Sequence, residues 1–339
     1  TCALPIFDIK SICRYLSFFI GGIPSKYETQ EINLGNIAYF CLNGLAMINK
    51  LDEVVKPNLR KKIIDWVYSQ QVCEPMFGGF RHSGAHYTPN HTVEESHLAM
   101  TYSAIMILLL LGDDLERLDK KRILEFLKKL QLPNGSFMGH LLGSEDDVRF
   151  VFCASVITKV IGSNGDLDIE KAIEYILDCQ TYEGGFAHQP GDEAHGGATY
   201  CAVAALDLWD SLDRIRDRKM LAYWLSQRQD DGFNGRTHKL TDTCYSFWIG
   251  APLRVLGWYD DIVDKERLTA FILSNYCESG TFRPNKESYP DIIHTHFSLA
   301  GLSLAGFSGI EEIDPALGLC KKGIPQKILQ RKSTMSQNK

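Results

Sequence analysis

The sequence predicts an all-α protein, an α/α barrel (toroid) of helix-pair repeats with inner and outer helix layers. Three observations predict it. A Gly-Phe turn recurs five times along the chain. A charged helical stretch precedes each turn and an apolar one follows it. Strand signals are nearly absent.

The turns are Gly78-Gly79-Phe80, Gly135-Ser136-Phe137, Gly184-Gly185-Phe186, Asp231-Gly232-Phe233 and Gly280-Thr281-Phe282, with phenylalanines spaced 57, 49, 47 and 49 residues apart. The helices before them are predicted at 63–71, 123–131, 173–180, 221–229 and 268–276, and four end in a Gln just before the turn. These stretches carry charge, as in Lys120-Lys121-Arg122, so they belong in an outer layer. After each turn comes a polar loop and then a second helix, predicted at 97–111, 148–161, 198–208, 244–256 and 294–304. The second helices are apolar nearly all round and belong inside. Several stop at a glycine (Gly112, Gly162, Gly257, Gly306), the residue that tolerates the left-handed conformation closing a helix. Two-helix units of this size stack as an open solenoid or close into a ring.

With 339 residues, 45% of them hydrophobic, the chain can bury one large core or two modest ones. One domain is expected over 11–318, followed by a basic, disordered tail over 319–339. A net charge of −6 excludes a strongly basic nucleic-acid binder. The ten cysteines are scattered without a CxxC pair, as expected of reduced thiols in a cytoplasmic protein. The longest apolar runs, such as 105–111 and 16–20, fall far short of the roughly 20 residues a membrane span needs, so no stable membrane insertion is expected. The stretch 14–23 has the apolarity of a signal-peptide core but a poor cleavage pattern.

If the helices alternate in direction, all the Gly-Phe loops lie at one end of the barrel and their polar residues converge. Those loops carry Glu95-Ser96-His97, Asp146-Asp147-Val148-Arg149, Glu193-Ala194-His195, Arg236 through Tyr245, and Asp291 through His294. Asp242, Cys244 and His294 offer one carboxylate, one thiolate and one imidazole, a three-ligand set of the kind that leaves a metal position open. A helix N-terminus also favours the thiolate. By spacing alone a Cys at a buried helix start reads as structural, and a lone His as a satisfied polar group. Equivalent placement in successive repeats is what favours a site. His195, Arg236, Lys239 and Tyr245 lie in neighbouring loops and suit a polyphosphate, against the plainer reading of a solvated charged rim. Beneath them Tyr102, Phe152, Tyr200, Phe247 and Trp248 read either as plain core or as the wall of an apolar cavity.

The Gly-Phe repeat, with Glu193-Ala194-His195-Gly196-Gly197, Asp242-Thr243-Cys244-Tyr245-Ser246-Phe247-Trp248 and His294-Thr295 before Ala300-Gly301-Leu302-Ser303-Leu304, resembles protein prenyltransferase β subunits over roughly 11–318. The resemblance implies a transferase that joins an isoprenoid to the cysteine of a C-terminal CaaX motif on proteins such as small GTPases, releasing diphosphate. It implies one Zn2+ on Asp242, Cys244 and His294, binding the substrate cysteine as its thiolate. It implies diphosphate contacts from His195, Arg236, Lys239 and Tyr245, with Tyr245 also counted as catalytic. It implies a peptide-facing Arg149, a lipid wall including Tyr102 and Trp248, and a heterodimer with a helical α subunit. His97 through Tyr102 and Leu111 through Leu115 look most like the type I geranylgeranyl form. Asn36, with Phe40 one turn on, stands where the farnesyl form shortens its cavity with a Trp, and Phe152 stands where that form has Tyr. Geranylgeranyl diphosphate is therefore the expected donor. The type I form has a Lys ten positions before the zinc His, in place of Mg2+. Here that position is Pro284, and the flanking Arg283 and Lys286 are the candidates to serve, with Mg2+ not expected to be required.

The alternatives are a farnesyl or Rab (type II) geranylgeranyl form, and a non-catalytic toroid that only binds. A terpene cyclase would need an Asp-x-Asp-Asp acid, and Ser144-Glu145-Asp146-Asp147 does not supply it.

Overall fold

The structure, a computed structural model, describes residues 7–22, 30, 33–72, 78–81 and 96–330. Of the residues singled out above, Glu95 and the last part of the tail, 331–339, lie outside the described residues.

Helices alternate between two layers along the chain. α1 (Ile9–Ile20) is outer and α2 (Leu34–Met47) inner; α3 (Leu51–Val54) is a short link. The pairs continue with α4 (Pro57–Ser69) and α5 (Leu98–Leu110), α6 (Lys120–Leu130) and α7 (Val148–Ile161), and α8 (Ile169–Asp178) and α9 (Gly196–Leu208). Outer α10 (Arg218–Ser226) faces an inner helix in two pieces, α11 (Tyr245–Trp248) and α12 (Gly250–Val255). After the short α13 (Tyr259–Ile262) come α14 (Lys265–Ser274) and α15 (Ile292–Ala305); α16 (Gln326–Leu329) is the last among the described residues.

The inner helices form a closed ring, each packed on the next: α2, α5, α7, α9, α11 with α12, α15, and α15 on α2 again. The ring predicted as one of two outcomes is therefore the one adopted. The helix expected over 244–256 is interrupted at Ile249 because Pro252 has no N–H to donate to the Trp248 carbonyl. Gly162 and Gly306 close α7 and α15 at φ 78° and 76°, the left-handed caps expected of them.

A repeated staple explains the Gln before each turn. The side-chain oxygen of Gln131 accepts the Asp168 N–H at 2.9 Å, and its Nε2 donates to the Asp168 carbonyl at 2.8 Å. Gln180 does the same to Asp217, and Gln229 to Asp264. Each of these aspartates caps the next outer helix by accepting from an amide in its first turn. The fifth repeat has Tyr276 instead, and its hydroxyl reaches the backbone N–H and carbonyl of Asp8, the cap of α1, at 3.4 and 3.3 Å. The turn glycines tell the same story. A Cβ on Gly135 would lie 2.1 Å from the Lys171 carbonyl oxygen, and one on Gly184 2.2 Å from that of Met220. A Cβ on Gly280 would lie 2.2 Å from the Ser11 carbonyl carbon, and each residue met is the third of its outer helix. The first outer helix thus serves as the neighbour of the last repeat. The turn phenylalanines Phe80, Phe137, Phe186, Phe233 and Phe282 are all fully buried.

The far end of the ring has a floor. β3 (Ile313–Asp314) and β4 (Leu319–Cys320) pair antiparallel, after the earlier ribbon of β1 (Tyr276–Cys277) and β2 (Thr281–Phe282). Between β3 and β4 the chain crosses beneath the inner helices. Tyr200 donates to the Ala316 carbonyl at 3.3 Å, Tyr102 to Leu317 at 3.1 Å, and Tyr39 to Gly318 at 2.6 Å. This corrects the expected tail: Leu319, Cys320, Ile324 and Ile328 are buried, and the chain is folded as far as Gln330. Among the described residues, four two-residue strands answer the near-absence of strand signals. Among the described residues, no helix is long and apolar enough to cross a membrane.

Candidate metal centre and cavity

The Gly-Phe loops of the second to fifth repeats lie at one end, linked by one repeated bond. The amides of Leu98, Val148, Gly196 and Thr243, at or just before the starts of inner helices, donate to the carbonyls of Gly139, His188, Gly235 and Pro284 in the following loop. Each inner helix after α2, or the turn that leads into it, begins at a side chain that accepts a backbone amide two or three residues on: His97, Asp147, His195, Asp242 and Asp291. These five positions are equivalent, and the three candidate metal ligands sit on them or within one turn after them.

Asp242, Cys244 and His294 come together. One ligand atom from each lies within 4.8 Å of the others, so the three could hold a metal ion. The Asp242 carboxylate accepts the Cys244 N–H at 2.9 Å and lies 3.3 Å from His294 Nε2. Thr243, between the two ligands, is fully buried; its hydroxyl donates to the Arg283 carbonyl at 3.0 Å and its N–H to that of Pro284 at 2.9 Å. Asp291 completes the centre without facing it: its carboxylate bonds His294 Nδ1 at 2.7 Å, which leaves Nε2 toward the other ligands. Sequence reading passed over Asp291, although an acid three residues before a candidate His at a helix start was there to be seen. Burial and the Asp242 charge push the Cys244 thiol up. Burial lowers the His294 pKa, but the bonds to Asp242 and Asp291 outweigh it and raise it to about 9. Without a cation the cluster therefore holds protons; a positive ion reverses both preferences. The donor set, one carboxylate, one thiol and one imidazole held by its second nitrogen, fits zinc chemistry.

Next to it is the polar rim. Tyr245 Oη lies 3.0 Å from His195 Nε2. Because His195 Nδ1 accepts the Gly197 N–H at 3.1 Å, the ring proton sits on Nε2, and Nε2–H donates to Tyr245. The tyrosine proton is thereby free to point elsewhere. Burial, then the neighbouring His188 and Arg236, pull the His195 pKa down to about 4. His188, which the sequence did not single out, lies against His195 with ring centroids 4.9 Å apart. Arg236 is half-exposed and pairs with Glu193 at 2.8 Å, while Lys239 is exposed. Arg149 forks onto Asp147, with Nε 2.9 Å from Oδ1 and Nη2 2.5 Å from Oδ2. Of the two cations flanking Pro284, Arg283 donates to the Lys286 carbonyl at 3.3 Å. Lys286 lines an outer cleft of about 570 Å³ with Thr241 and Arg267. Neither is paired with a residue of the metal cluster among the described residues.

Under the rim the candidate wall residues form a circuit. Rings touch in sequence from Phe40 and Tyr39 through Tyr102, Phe152, Tyr200 and Trp248 to Phe297, which returns to Phe40; neighbouring centroids are 4.2 to 5.7 Å apart. Tyr102, Phe152, Tyr200, Phe247 and His296 each stand five residues after the capping position of their repeat, roughly 7 Å down the helix. The residues predicted for this wall are thus together, joined by Tyr39, His296 and Phe297, which were missed. Asn36 accepts the Ser103 hydroxyl at 2.7 Å on the neighbouring inner helix.

A family model described as the prenyltransferase alpha-alpha toroid domain matches residues 7–319. The chain belongs to the prenyltransferase toroid family. Among prenyltransferase relatives, the geranylgeranyl transferase type-1 subunit beta of Arabidopsis thaliana is 39% identical over 90% of this chain and 87% of its own length. That of Dictyostelium discoideum is 33% identical over 92% and 95%. The protein farnesyltransferase subunit beta of Schizosaccharomyces pombe is 33% identical over 88% and 78%. Among solved structures, Candida albicans protein geranylgeranyltransferase-I complexed with GGPP superposes with a TM-score of 0.87 at 26% identity, covering 95% of this chain and 98% of that one.

Proposed function

We propose that this prenyltransferase chain is the β subunit of a type I protein geranylgeranyltransferase. In complex with an α subunit, it moves a geranylgeranyl group from geranylgeranyl diphosphate to the cysteine of a C-terminal CaaX motif. The observation that carries this reading is one arrangement: a three-donor cluster beside a polar rim, directly above a closed ring of aromatic side chains. An apolar tail with an anionic head fits that order from floor to rim. The type-1 names of two relatives support the choice of isoprenoid.

In the reaction the substrate sulfur forms a bond to the first carbon of the isoprenoid. The carbon–oxygen bond there breaks, its electron pair leaves with the diphosphate, and the thiol proton goes to solvent. Asp242, Cys244 and His294 would hold the zinc ion, which when bound lowers the pKa of an incoming thiol. Tyr245, its oxygen fixed by His195, turns its proton to the oxygen on which charge grows. Arg236 and Lys239 add positive charge at the same rim, and Arg149 faces the peptide. Phe40, Tyr102, Phe152 and Trp248 line the isoprenoid's path, and Asn36 leaves room for the longer chain. The eight described cysteines are all unpaired, which fits the reducing cytoplasm.

The test is transfer by the chain co-produced with a prenyltransferase α subunit. Geranylgeranyl and farnesyl diphosphate are compared on peptides ending in Cys-a-a-Leu and Cys-a-a-Ser. Preference for geranylgeranyl with the Leu peptide is expected; preference for farnesyl with the Ser peptide would make this a farnesyl form. Absence of both transfer and bound zinc would leave a toroid that only binds.

A further inference from the structure

The outer helix of the fourth repeat leads into a buried cation on which Glu183 and Glu193 act only at a distance. Arg228 is 6% exposed, and among the described residues no carboxylate is within ion-pair distance of it. Its guanidinium lies over the Trp224 ring, 4.8 Å from the centroid, and its Nε donates to the Trp224 carbonyl at 3.2 Å. Its other contacts are neutral groups of a single loop: Nη1 donates to Asn234 Oδ1 at 3.2 Å, and Thr237 Oγ1 lies 3.5 Å from both Nη1 and Nη2.

The fold itself does not need this charge. Asn234 N–H donates to the Arg228 carbonyl, and the same bond joins Leu130 to Met138 in the second repeat and Cys179 to Ala187 in the third. Uncharged residues therefore satisfy that position, Gln70 and Asn275 doing so in the first and fifth repeats, and a buried cation that no carboxylate contacts is costly. The segment that Arg228 grips, 234–239, carries Arg236 and Lys239 and bends through His238 at φ 60°. It lies so close to Tyr245 that a Cβ on Gly235 would come within 2.3 Å of the phenol oxygen.

We propose that Arg228 is a positioning residue for the diphosphate head of the substrate, bracing the 234–239 segment against the rim and holding a buried positive charge whose counter-charge arrives with the substrate. The proposal rests on the prenyltransferase reading above. In the free protein the guanidinium is desolvated and held only by neutral acceptors. With a diphosphate at the rim, the same charge adds to those of Arg236 and Lys239.

The experiment uses the complex with an α subunit and measures two constants at several salt concentrations: inhibition by inorganic diphosphate, and KM for geranylgeranyl diphosphate. Arg228→Gln is expected to raise both about tenfold and to flatten their salt dependence, with KM for the acceptor peptide unchanged. Arg228→Lys keeps the charge and loses the fork, so it should recover the salt dependence but not the full affinity. Thr237→Val, at an exposed position, removes a loop-side partner and should raise KM for the isoprenoid without altering the salt slope. Wild-type constants and slope in Arg228→Gln overturn the proposal. If that variant does not fold, wild-type constants in both Arg228→Lys and Thr237→Val overturn it equally. A wild-type complex that transfers no isoprenoid and ignores inorganic diphosphate would instead overturn the functional reading.

Discussion

His294 owes its orientation to Asp291, which holds Nδ1 from the cap of the same helix. Asp291→Asn keeps the shape and removes the charge, so zinc retention should weaken about 10- to 100-fold. Competition with a chelator measures this, and unchanged retention would mean that the carboxylate does not set the imidazole. His195 supplies a pH dependence. Its pKa lies near 4 in the folded chain against 6.5 as its ordinary value. Protons therefore favour the unfolded chain: the full contribution of His195 to stability is present above about pH 6.5 and is lost as pH falls toward 4. His195→Gln should lose less thermal stability between pH 7 and pH 5 than the wild type, read from the melting midpoint. The grouping of the candidate metal donors, and of His195 with Tyr245, was legible in the sequence, because these residues belong to long ordered motifs. His188 and Arg228 were not, because an imidazole or a guanidinium outside such a motif reads as solvated until its partners are seen.

At the level of the element, the repeat is a two-helix unit fastened to the next by a glutamine. Gln131 binds both backbone groups of the residue that caps α8, so Gln131→Ala removes two hydrogen bonds at once. It should cost about 1–3 kcal/mol, measured by urea denaturation, and equal stability would show that water replaces the amide without loss. The recurrence of Gln was visible in the sequence, but its use was not. The partner is a cap roughly 37 residues on, and no local pattern links the two. The inner helices after α2 were legible because they are apolar on every side. α1 was not, since its place depends on the far end of the chain, and neither was the floor, whose carbonyls are held by tyrosines from three other helices.

For the whole molecule, closure rests on few residues. Gly280 has φ 81° and sits against the backbone of Ser11, so Gly280→Ala meets both a strained conformation and a clash. A loss of more than about 2 kcal/mol is expected, seen as a lower denaturation midpoint; a neutral effect would show that the ring can loosen there at no cost. The circular arrangement could not be chosen from the repeat alone, because an open stack has the same periodicity. The choice was made by Tyr276 and Gly280, which treat α1 as the next helix in line. This has a consequence for biosynthesis. The ribosome delivers α1 about 268 positions before the residue that seats it at the seam. Until then α1 has α2 to pack against but lacks its neighbour from the last repeat, so closure of the ring is a late, long-range step in the order in which the chain emerges.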